Sequence, residues 1–142
     1  MLKCLYAGDT YHDQVRQALV NDGWTITHDP LSLPWGGTTL QVDLGAERLI
    51  AAEKAARRIA VEVKSFISAS RIADLKDALG PFVLYRHVIH LTEPDRTLYL
   101  AVRQDVFQTL FDQPYGELLC AAERINLLVF DEESEVIIKW IP

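Results

Sequence analysis

The stretch Ile59-Ala60-Val61-Glu62-Val63-Lys64-Ser65-Phe66 constrains this fold more than any other. It is dense in strand formers and alternates with a period of two, so it reads as a β-strand. Side chains alternate across a strand. Ile59, Val61 and Val63 therefore bury on one face, and Glu62 and Lys64 share the other. A lone strand cannot satisfy its own backbone, so the rest of the chain must build a sheet around it.

The flanking sequence supplies that sheet and its helices. Thr10 to Asn21 reads as a helix that Asp9 or Thr10 can cap, with Tyr11, Val15, Ala18 and Leu19 at helical spacing and Gly23 at its stop. Trp24 to His28 alternates as a strand, and Pro30, Pro34, Gly36 and Gly37 mark a loop. Residues 40–54 are extended, with Gly45 as the expected bend or bulge. Ala55 to Arg58 is the expected turn, although a helix over Ala46 to Arg58 competes on propensity. Ser68 or Ser70 caps a helix with an Ile72, Leu75, Leu79, Phe82 stripe, and Gly80-Pro81 predicts a kink or restart in it. Thr97 to Val102 is a strand, and Asp105 to about Glu123 is helical with a break near Pro114. Asn126 to Phe130 and Val136 to Ile141 close the chain as strands. The expected fold is α/β, a single domain with one central mixed sheet flanked by helices.

The chain has 142 residues, which fits one domain over 1–142, with residues 1–9 expected as a mobile N-terminus. Cys4 and Cys120 lie far apart without metal-ligand spacing, so neither a zinc site nor a disulfide is expected. No signal peptide or membrane span is legible, and a cytoplasmic location is expected. The net charge of −6 hides an asymmetry: residues 45–90 carry eight basic and five acidic side chains, and the remainder is net −9. Such a basic segment can face phosphate on an acidic protein, and Arg57, Arg58, Arg71, Lys76 and Arg86 are its candidate DNA-binding side chains. Ordinary surface variation explains the asymmetry equally well.

Glu62 and Lys64 suit metal-dependent phosphodiester cleavage. Carboxylates from Asp43 and Glu62 can hold Mg²⁺, and Lys64 can offset charge on phosphate. Taken alone, the pattern is more often an unremarkable Glu/Lys pair on a half-exposed strand. Glu53 competes with Asp43 as a ligand if a turn centres near residues 56–57, but a plain surface acid is favoured. His28 reads as structural, His87 and His90 as a solvated helix face, and Trp24, Trp35 and Trp140 as packing residues.

The order of elements resembles the PD-(D/E)xK nuclease superfamily, whose core is helix, three strands, helix, strand. Several blocks carry a closer resemblance. They include His12-Asp13, Asp22-Gly23-Trp24-Thr25-Ile26-Thr27-His28-Asp29-Pro30, Val42-Asp43-Leu44-Gly45-Ala46-Glu47, Leu49-Ile50-Ala51-Ala52-Glu53-Lys54, Ala60 to Phe66, Ala78-Leu79-Gly80, Tyr85-Arg86 and Val136 to Ile141. These blocks are similar to the XisH family, cyanobacterial proteins named as controlling factors for excision of the fdxN element. The resemblance runs from about His12 onward. It implies developmentally regulated DNA rearrangement alongside a recombinase and a companion XisI-like protein. It also implies Asp43 and Glu62 as metal-binding acids, Lys64 as the catalytic lysine, and His12 or Asp13 at the place of a helix-1 acid. Tyr85 belongs to a Gln-x-x-x-Tyr pattern whose Gln is here Pro81, which has no side-chain amide to hold substrate or water.

Three functions fit: a Mg²⁺-dependent DNA endonuclease, a non-cleaving accessory module that binds DNA or an XisI-like partner to direct a recombinase, and, by analogy alone, a defence nuclease neutralised by a small partner. Nicking abolished by Glu62→Ala separates the first from the second. A homodimer is the default expectation.

Overall fold

The computed structural model describes residues 9–50 and 55–142. Helix α1 (His12–Asn21) leads into β1 (Thr25–His28), the β2 (Leu31–Trp35) and β3 (Thr38–Val42) hairpin, β4 (Leu44–Ile50) and β5 (Ala55–Val63). Helix α2 (Arg71–Thr92) and β6 (Arg96–Arg103) follow. A short α3 (Gln104–Val106) runs into a π-helical turn over Phe107–Phe111, before α4 (Pro114–Glu123), β7 (Leu127–Asp131) and β8 (Val136–Ile141). The six-stranded sheet has the order β1-β4-β5-β6-β7-β8, and β2-β3 forms a separate two-stranded sheet. β6 is parallel to both β5 and β7, while the other pairs are antiparallel, so the sheet is mixed. This is the expected α/β single domain.

Alternation along β5 builds a core on each face of the sheet. Ile59, Val61 and Val63 pack with Val15, Leu19 and Trp24 on the α1 side. Ala60 packs with Leu75, Ala78 and Phe82 on the α2 side. By parity Glu62 and Lys64 lie on that second face, where α2 covers the sheet. Within the predicted α2 stripe, Leu75 and Phe82 are buried, but Ile72 is 41% exposed. No helix among the described residues is long and apolar enough to cross a membrane.

Several local expectations are overturned. The loop at Pro30 to Gly37 is a β-hairpin whose turn residues Gly36 and Gly37 have φ of 59° and 80°. Two consecutive positive φ values are what a tight two-residue hairpin turn requires, and glycine adopts them without steric cost. Ala55 to Arg58 is not a turn but the start of β5, with Ile50 opposite Ala55 and Arg48 opposite Arg57. The described residues of the competing helix over Ala46 to Arg58, 46–50 and 55–58, are strand as well: cross-strand pairing and burial of Ala46 and Ile59 outweigh local helix propensity. The bend falls at Asp43, between β3 and β4, rather than at Gly45. Gly45 instead sits opposite an irregularity in β1, where a Cβ would come within 3.2 Å of the His28 Cβ.

Helix α2 runs unbroken through Pro81. Proline has no N–H to give, so the Asp77 carbonyl loses its helical partner. Burial of Ala78 and Phe82 on the other side holds the helix in register. At its start, the Ser70 hydroxyl accepts the Ala73 N–H at 3.1 Å. Ser70→Ala is expected to lower stability by about 1 kcal/mol, read from the denaturant midpoint at unchanged slope.

Candidate active site

Asp43 and Glu62 are brought together by the end of the β4–β5 ladder. Leu44 pairs with Val61, so the next residues outward, Asp43 and Glu62, face one another. Each carboxylate accepts a backbone N–H from the opposing segment. The Asp43 N–H donates to Glu62 Oε1 at 3.2 Å, and the Val63 N–H donates to Asp43 Oδ2 at 2.8 Å. The bend at Asp43 frees its N–H from the ladder for this exchange.

Both acids, with Lys64, line one cleft of about 210 Å³ that Asp9, Asp77, Ala78 and Pro81 complete. Burial lifts Asp43 above the ordinary carboxylate range, against the Val63 N–H and the charge on His12. Burial and then the negative charge of Asp43 push Glu62 up to about 9. The two half-buried carboxyls therefore resist ionising together unless a cation joins them. Tyr85 feels the same field: burial, then Glu62 and Asp43, push its phenol up to about 12.

Asp9 is the site residue that the sequence did not single out. It is expected in the mobile terminus, yet its carboxylate accepts both the N–H (2.9 Å) and the hydroxyl of Ser65, and also the Tyr11 N–H at 3.1 Å. These contacts pin the segment that carries Lys64. Arg103 holds the same segment from the other side, donating from Nη2 to the Ser65 carbonyl at 2.8 Å. The only legible signal for Asp9 was its capping position ahead of α1.

The other candidates are dispersed. His12 is buried, with Nε2 2.7 Å from Asp29 Oδ1. Asp13 lies exposed on α1 and does not line the cleft. Glu53 lies outside the described residues, and Glu62 stands at the end of the ladder away from the Ile50–Ala55 pair. The five basic candidates do not converge on the cleft. Arg57 and Arg58 are at the opposite end of β5, where Arg58 pairs with Glu47 at 3.1 Å. Arg71 binds Asp105 at 3.1 Å, and Lys76 is exposed on α2. Arg86 reaches the Glu123 and Arg124 carbonyls at the far end of α2. Among the described lining residues, Lys64 alone is cationic.

Comparison with known proteins places this chain in a family. The family model described as XisH protein matches residues 5–138. An XisH family protein from Nostoc punctiforme, solved by crystallography, is 40% identical with a TM-score of 0.85, over 94% of this chain and 100% of that one. A crystal structure of an fdxN element excision controlling factor protein from Anabaena variabilis is 41% identical with a TM-score of 0.84, over 93% of this chain and 98% of that one. No curated protein matches. The family match spans almost the whole chain, including Asp43, Glu62 and Lys64, and two structures agree with it at high identity: this chain belongs to the XisH family.

Proposed function

We propose that the cleft is a metal-dependent phosphodiester-cleaving site acting on DNA, built on a restriction-endonuclease-like core of the PD-(D/E)xK kind. The observation that carries this reading is the half-buried Asp43 and Glu62 pair, each carboxylate accepting a backbone N–H from the opposing segment, with Lys64 beside it in one cleft. Four carboxylates and one lysine line that space, so phosphate enters it only if a cation offsets the charge. The donors are all hard oxygens, as Mg²⁺ prefers. Among the described residues, no group of three or more His, Cys, Asp or Glu side chains is placed to hold a metal ion. Mg²⁺ asks for less, because it keeps several waters and takes only one or two carboxylates.

In this reading Asp43 and Glu62 would hold the ion. When bound, the ion supplies Lewis-acid polarisation of the phosphate and a more acidic water. Lys64 offsets charge on the phosphate oxygens, and the Asp9–Ser65 contact fixes where Lys64 stands. Relatedness to the Anabaena variabilis protein, named as an fdxN element excision controlling factor, supports DNA rearrangement as the setting. An XisI-like protein and a recombinase are the partners proposed for it.

Purified protein with Mg²⁺ or Mn²⁺ is expected to nick supercoiled plasmid. Glu62→Ala should lower the rate by at least about a thousandfold, and Lys64→Ala by about a hundredfold. Equal nicking by wild type and Glu62→Ala would assign the activity to a contaminant. Pro81 on the cleft wall favours one second reading, an accessory module that binds DNA or its partner without cutting. That module still binds Mn²⁺ in calorimetry but leaves the plasmid intact.

A further inference from the structure

A second cleft lies at the other end of α2, remote from the acids. It has a volume of about 400 Å³ and runs between α2 and the end of α4, lined by Arg86, His87, His90, Ala122, Glu123 and Arg124. Arg86 closes its floor by donating to the Glu123 and Arg124 carbonyls. Two arginines and one glutamate line it, on a chain whose net charge is −6.

Each helix that flanks this groove carries an apolar ridge on the same face as a residue that lines it. On α2, His87 lies three residues after Leu84 and four before Leu91, so the three share a face. On α4, Ala122 lies four residues after Leu118 and seven after Tyr115, again one face. Leu84, Leu91, Leu118 and Tyr115 are 50%, 62%, 63% and 71% exposed. Large apolar side chains left open on the two helices that flank a basic groove are what a surface covered by another molecule presents.

We propose that this groove docks an acidic amphipathic helix of a partner protein. Its apolar residues at i, i+3 and i+7 pack between the two ridges, and its carboxylates meet Arg86 and Arg124. The leucine ridges argue against nucleic acid, whose interfaces are polar and wet.

The test uses the whole chain and a fluorescent synthetic helix with leucines at i, i+3 and i+7 flanked by glutamates. The expected result is saturable binding, weakened at least about tenfold by Leu118→Asp and by Arg124→Glu. Leu49→Asp, which alters an even more exposed leucine on β4 (83%), should leave binding unchanged. Thermal unfolding of each variant confirms that it folds. A sequence-scrambled peptide that binds as tightly overturns the proposal, because charge alone would then suffice. Three further results also overturn it: no saturable binding, displacement of the peptide by a short DNA duplex at equal concentration, or a wild-type dimer that Leu118→Asp dissolves. None of these readouts depends on plasmid cleavage, so this surface and the carboxylate cleft stand or fall separately.

Discussion

Glu62→Gln is expected to make the protein more stable in chelator at pH 8, by about 2–4 kcal/mol. Burial and the Asp43 charge push the Glu62 carboxyl up to about 9, from an ordinary 4.5. The unfolded chain therefore gives up this proton near pH 4.5, while the folded chain keeps it until about pH 9. Between those values the unfolded state binds fewer protons, so stability is greatest below the lower value and falls as pH rises through the window. Glutamine carries no proton to lose, and its oxygen can still accept the Asp43 N–H. A divalent cation reverses the order. An ion held by Asp43 and Glu62 at a hundred times its dissociation constant stabilises wild type by about 3 kcal/mol, and Glu62→Gln forfeits most of that. Thermal melts at pH 5 and 8, with EDTA and with Mn²⁺, give the four values needed. A Glu62→Gln protein less stable than wild type at pH 8 in EDTA would mean that the pair is held charged without a metal.

That carboxylate pair was half legible in the sequence. Strand alternation placed Glu62 and Lys64 on one face, and Ala60 confirms which face by packing under α2. Asp43 could not be located as surely, because the connection between the two strands was expected near residues 56–57. Ala, Arg, Glu and Lys around it favour helix, and no glycine pair marks a turn there. Only the pairing of Ile50 with Ala55 and Leu44 with Val61 shows that Asp43, rather than any residue nearer the connection, meets Glu62. Asp9 was invisible for a different reason. Its contact with Ser65 spans 56 residues of sequence, and no local pattern encodes a hydrogen bond between a pre-helical acid and the end of a distant strand. The β2–β3 hairpin was hidden by Pro30 and Pro34, which read as loop. Proline is tolerated there because the hairpin forms its own two-stranded sheet, leaving an edge that needs no N–H donor.

Gly116→Ala is expected to destabilise the protein by about 3 kcal/mol, lowering the melting temperature by roughly 10 °C. Within a helix, alanine ordinarily improves on glycine by up to about 1 kcal/mol. Here the gain is overrun. Gly116 is buried in the first turn of α4, against the π-helical turn. A Cβ there would collide with the Phe111 Cα and with the Leu110 and Phe111 carbonyl oxygens, which are backbone atoms that cannot swing away. Leu110 and Phe111 are themselves fixed in the main core, and Phe111 meets Phe66 edge-on at 5.8 Å. The helix must therefore move, carrying Leu118, Ala122 and the carbonyls that Arg86 grips. The α2–α4 groove should lose its shape before the carboxylate cleft does, because that cleft draws its lining from β5, α2 and the segments at Asp9 and Asp43. At a temperature where Gly116→Ala remains folded, peptide binding should fall while Mn²⁺ binding stays near that of wild type. Equal losses at both places would show that α4 and the cleft are coupled through Phe66 rather than independent.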